Sequence, residues 1–98
     1  MGNAIKMSEK EKFYKNLEVK LEEHHQFPST YLFKFIIPNS LHLLAEVEAL
    51  FSEKAVINTR ESKTGKYISI SGKEIILESN EVISVYKKAE KIEGLMSL

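Results

Sequence analysis

Residues 60–73, RESKTGKYISISGK, hold the densest run of side chains that could do chemistry. Arg60, Lys63 and Lys66 surround Gly65, and Tyr67 then alternates with the hydroxyls of Ser69 and Ser71. Three chemistries use such residues. A glycine turn with a lysine can cradle phosphate, an aromatic among cations can stack on a base, and a glycine can simply reverse the chain into a strand. Spacing separates them. A Walker loop needs two glycines at a fixed separation and then Lys and Ser or Thr at a helix start. TGKYIS has one glycine and runs into Ile68 and Ile70, which alternate as a strand does. The stretch therefore reads as a hairpin turn, in which Gly65 takes a positive φ. Arg60, Lys63, Gly65 and Lys66 remain as candidate contacts for a ligand or anion.

The other reactive side chains form no motif. His24 and His25 are neighbours, which on a helix points them about 100° apart rather than at one metal ion. His42 falls on the outer side of its helix, and no HExxH pattern accompanies any histidine. The chain has no cysteine, which excludes disulfides, thiolate metal sites and a cysteine nucleophile. No GxSxG elbow presents a serine for attack. No catalytic residue, metal or cofactor is expected, and the chain reads as a non-enzyme.

Ninety-eight residues make one domain, burying about two thirds of the surface exposed by the unfolded chain. Apolar residues are 43% and charged residues 29%, too apolar for a disordered chain. Fourteen basic residues balance fourteen acidic ones, so no overall field draws the chain to nucleic acid or an anionic membrane. Partners must be met through local patches. The opening MGNAIKMSEKEK lacks the apolar stretch of a leader, no Ser or Thr stands where acylation at Gly2 would want one, and no apolar run could span a membrane. The expectation is a cytoplasmic protein.

The elements that must position these residues follow from periodicity and punctuation. Ser8 with Glu11 has the form of a capping box, and Phe13, Tyr14, Leu17, Leu21 and His24 then form one stripe of a helix. Pro28 breaks it. TYLFKFII, residues 30–37, is apolar on both faces, the pattern of a central strand covered from two sides. Pro38, Asn39 and Ser40 stop that strand and offer a cap. Leu43, Leu44, Val47, Leu50 and Phe51 then repeat with helical spacing, predicting a helix to about Lys54. Strands are predicted over 55–61 and 67–77. A last helix capped by Ser79 or Asn80 should bury Val82, Val85, Tyr86, Ala89 and Ile92, and LMSL should close the chain as a short strand.

This order predicts an α+β fold: a ferredoxin-like βαββαβ sandwich with a four-stranded antiparallel sheet in residues 27–98, preceded by an amphipathic helical extension in 1–26. Alternation along the strands sends Phe33, Phe35, Ile68 and Ile70 toward the two helices. Leu32, Lys34, Ile36, Tyr67, Ser69 and Ser71 then form an opposite face, or interface, that is partly apolar. Because the stripe of Phe13, Leu17 and Leu21 also needs cover, the N-terminal helix is expected to lie across that face, within one chain or from a dimer partner.

FPSTYLFKFIIP in the first strand, ESKTGKYISIS across the hairpin, YKKAEKIEG in the last helix and the terminal LMSL together resemble the YbeD-like family of small uncharacterised bacterial proteins with an ACT-like ferredoxin fold. The resemblance covers Phe27 to Leu98. It implies the fold and, by analogy with ACT domains, a regulatory or binding role. ACT domains that bind amino acids bring a glycine to the junction of first strand and helix, whereas IIPNSLHLL has none, so binding of that kind is not expected. An acylphosphatase, which shares the topology, would need a glycine-rich anion loop with arginine after the first strand, and this too is absent. A protein partner or homo-oligomer is the leading expectation. A small-molecule effector comes second, and RNA, which would want another ring where Ser69 stands, comes third.

Overall fold

The computed structural model describes residues 8–98, so residues 1–7, on which the expectations about a leader and acylation bear, lie outside the described residues. The elements are α1 (Glu9–His24), β1 (Ser29–Pro38), α2 (Leu41–Glu48), β2 (Val56–Glu61), β3 (Tyr67–Ile76), α3 (Ser79–Ala89) and β4 (Met96–Ser97). The sheet has the order β2-β3-β1-β4 with every neighbouring pair antiparallel. From β1 onward this is the ferredoxin-like βαββαβ arrangement.

Register explains the core. Phe33 stands opposite Gly72, Phe35 opposite Ile70 and Ile37 opposite Ile68, so these residues share the face on which α2 and α3 lie. Phe33, Phe35, Ile37 and Ile70 are buried there with Val47 of α2 and Val82 of α3. Each large side chain so buried contributes about 1.5–3 kcal/mol. Gly72 is where the packing is tightest. A Cβ on it would collide with the ring of Phe51, which packs into the space that the missing side chain leaves.

Two local boundaries differ from the sequence pattern, each for a hydrogen-bonding reason, and one strand differs in its cover. The second helix stops at Glu48 rather than near Lys54, because Leu50 and Phe51 donate to the carbonyls of Val47 and Glu48, three residues back. That tightening swings Phe51 beneath the sheet. At the start of α3 the N-cap is Glu78, not Ser79 or Asn80. The Ser79 hydroxyl donates instead to Glu22 of α1, and the Glu81 carboxylate accepts from the Leu77 N–H. Finally, β1 is central but covered from one side only: Leu32, on its other face, is 48% exposed.

Helix α1 begins as its sequence predicts, with the Ser8 hydroxyl accepting from the Glu11 N–H at 3.1 Å. It does not cross the open face of the sheet in this chain. It packs against α3, burying Tyr14 and Leu21 and half-burying Leu17, while Phe13 and His24 remain exposed. The reason lies in the link and in the polar partners. The rings of His25 and Phe27 sit together, 5.9 Å apart, and His25 lies 5.8 Å from Tyr31, which faces the helix side of β1; the chain thus leaves α1 on that side. Tyr14 then donates its hydroxyl to Glu90 at 2.8 Å, Lys10 pairs with Glu90 at 3.2 Å, and Lys87 lies 5.4 Å from the Tyr14 ring centre. All three helices therefore form one layer, and the sheet keeps a bare face.

Candidate interaction face

Strand alternation builds the bare face row by row. Val56, Lys73 and Leu32 make one row across β2, β3 and β1; Asn58, Ser71 and Lys34 make the next; Arg60, Ser69, Ile36 and Met96 make the third. Tyr67 and Pro38 finish it below. Leu98 extends the edge, donating its N–H to the carbonyl of Lys34 at 2.9 Å. Leu32, Lys34, Ile36, Tyr67, Ser69 and Ser71, which the sequence places on one face, do share it. Sequence reasoning passed over Val56, Asn58, Lys73, Ile75, Met96 and Leu98. Their alternation signal was present, but only the register of β2 and β4 against their neighbours aligns it.

Apolar groups and cations share this face. Tyr67, Val56 and Ile75 are about half to two thirds exposed, at 47%, 60% and 70%, and Met96 and Leu98 are similarly open. Lys34, Arg60 and Lys73 are the charged strand residues here. The strand carboxylates Glu61 and Glu74 stand opposite or beside core residues on the helix side, where Glu74 accepts from the N–H and hydroxyl of Ser52. A neutral chain thus carries a locally cationic sheet face.

The hairpin separates the residues first grouped with Gly65. Arg60 belongs to the open face, opposite Ser69, whereas Lys63, Gly65 and Lys66 lie in the turn. Gly65 has φ of 73°, the left-handed region that a side chain resists. Its N–H donates to the Ser62 carbonyl at 2.9 Å. The Gly65 carbonyl accepts from the Asn39 side chain at 2.7 Å, and the Lys66 carbonyl accepts from the Asn39 N–H at 2.9 Å. Tyr67 N–H donates to the Ser62 hydroxyl at 3.1 Å. These bonds hold the turn and fix the hairpin to Asn39.

A second feature lies on the helix side. Between α1, α3 and the approach to β4 runs an open cleft of about 390 Å³, bordered by Phe13, Leu17, Tyr86, Leu95, Glu90 and Ser97. Tyr86 and Tyr31 share a hydroxyl hydrogen bond of 3.1 Å at its inner end, and burial, reinforced by that bond, pushes the Tyr86 phenol well above its usual range. Burial pushes Tyr14 up to about 12, assisted by its bond to Glu90. The same bond from Tyr14, with Lys10 beside it, holds the Glu90 carboxyl below its usual range. The Tyr14 and Lys10 contacts to Glu90 fasten α1 to the end of α3, and the Tyr31–Tyr86 pair joins β1 to α3.

The histidines form no site. His24 is exposed, His25 packs on Phe27 and Tyr31, and His42 pairs with Glu46 one turn along α2 at 3.3 Å. No group of three potential metal ligands occurs among the described residues. The rings of Tyr31, Phe33 and Phe35 all lie on the core side of β1, leaving Tyr67 as the one aromatic strand residue on the open face among the described residues. No described helix is long and apolar enough to cross a membrane.

No curated protein and no solved structure matches the chain. A family profile described as "Protein of unknown function (DUF493)" matches residues 22–98, from the last turns of α1 through the whole sheet and both its helices. The four segments that resembled YbeD-like proteins all lie within that span, and the chain belongs to the DUF493 family.

Proposed function

We propose that this protein is a non-catalytic regulatory module that holds a protein partner on the open face of its sheet. The observation that supports this is the one-sided placement of the helices: α1, α2 and α3 gather on one side, while Leu32, Val56, Tyr67, Ile75 and Met96 stand exposed on the other. Apolar groups grouped this way and interspersed with polar residues are characteristic of protein contact surfaces. The test is comparative affinity isolation from cells at native abundance. A partner should be recovered with the natural chain and with Phe13→Glu, which alters the cleft, and lost with the pair Leu32→Glu and Met96→Glu. Equal recovery with both variants would contradict the reading.

The cleft beside Phe13 and Tyr86 favours a second reading, a small-molecule effector of largely apolar character. Its volume, about 390 Å³, lies within the range of small-molecule pockets. A metabolite co-purifying with the natural chain and absent from Phe13→Glu would favour this reading over the first.

A further inference from the structure

The centre of the open face is hollow, because Ser69 and Ser71 are short while Lys34 and Arg60 on the flanking strands are long. The hollow measures about 350 Å³ and is bordered by Lys34, Asn58, Arg60, Ser69, Ser71 and Leu98. Each of its polar side chains can donate a hydrogen bond, through an ammonium, an amide, a guanidinium or a hydroxyl. Among the described residues, no carboxylate side chain lies within 4 Å of the Lys34 or Arg60 nitrogens. Lys73 adds a third cation one row away, and none of the strand residues on this face is acidic.

We propose that this hollow receives the carboxylates of an acidic, amphipathic segment of a partner protein, whose apolar side chains rest on Leu32, Ile36, Met96 and Leu98. The inference rests on the docking reading above and names the chemistry of its partner. Charge complementarity selects the occupant. A second copy placed face to face by a two-fold axis would set the cationic patch of Lys34, Arg60 and Lys73 against the same patch of its partner, with no strand carboxylate to neutralise either. Single-stranded RNA would find one ring, Tyr67, where sequence-tolerant binding relies on several stacked rings. An acidic peptide uses both the cations and the surrounding aliphatic groups.

The test follows backbone amide signals of the isotope-labelled full chain during titration with a designed helical peptide of leucine and glutamate. Its glutamine counterpart and a mixed-sequence RNA oligonucleotide serve as separate arms. The glutamate peptide should saturably shift Lys34, Asn58, Arg60, Ser69 and Ser71 and weaken with added salt, and the glutamine peptide should bind far less. Reversing two exposed charges, Lys34→Glu with Arg60→Glu, should weaken the glutamate peptide about tenfold. The milder pair Lys34→Gln and Arg60→Gln should act in the same direction if reversal disturbs the sheet. Equal binding of both peptides, shifts confined to the α1–α3 cleft, or tighter binding of RNA would each overturn the proposal. If a partner isolated from cells is lost with Leu32→Glu and Met96→Glu yet kept by the Lys34 and Arg60 variants, docking stands and the acidic-segment inference fails.

Discussion

At Gly72 and Gly65 the same residue type serves two different purposes. Gly72 makes room: the Phe51 ring occupies the volume of its missing Cβ, so Gly72→Ala should destabilise the domain by about 1–3 kcal/mol through overpacking. Replacing Phe51 by Leu in the same chain should recover part of that loss, measured by urea denaturation; an unrecovered double variant would locate the strain elsewhere. Gly65 has open space around it but a positive φ, so Gly65→Ala should cost about 1 kcal/mol through backbone strain alone. An unchanged midpoint would contradict that origin. The turn at Gly65 was legible because a lysine-flanked glycine between two alternating runs has few other uses. Gly72 was not, since a glycine within a strand does not announce which ring lies above it.

Among the elements, α1 departs furthest from its sequence-based placement. Its stripe was legible, but a stripe says only that a helix needs cover. Partner choice was made by groups distant in sequence: Glu90 for Tyr14 and Lys10, and Ser79 for Glu22. Leu21, buried at 4% exposure, ties the helix down, and Leu21→Ala should cost about 2–5 kcal/mol if α1 is part of the cooperative unit. A chain of unchanged stability would make α1 a loosely attached arm. The Tyr14–Glu90 contact also predicts a pH dependence with two edges. Glu90 titrates lower when folded than its ordinary 4.5, so its contribution is present above that value and lost as pH falls through the folded one. Tyr14 is raised from 10.0 to about 12, so its contribution is present below pH 10 and lost between 10 and about 12. Urea midpoints measured across pH should therefore fall at both ends, and Tyr14→Phe should flatten both declines. A variant retaining the full slopes would assign them to other groups.

Across the whole molecule, the arrangement of the layers leaves one face of the sheet open. The core was readable because Phe33 and Phe35 of β1 and Ile68 and Ile70 of β3 recur at every second position. The fourteen positive and fourteen negative charges concealed what register brings together: Lys34, Arg60 and Lys73, from three different strands, share one face without a strand carboxylate among them. A sum over composition cannot show such segregation. The open face is proposed as the place where a protein partner sits. That placement is tested most directly by mapping amide shifts of the full chain in complex with the partner recovered from cells. Changes should concentrate at Leu32, Lys34, Ile36, Tyr67, Ser69, Ser71 and Met96. Changes concentrated instead at Phe13, Tyr86 and Leu95, with the sheet face undisturbed, would contradict it.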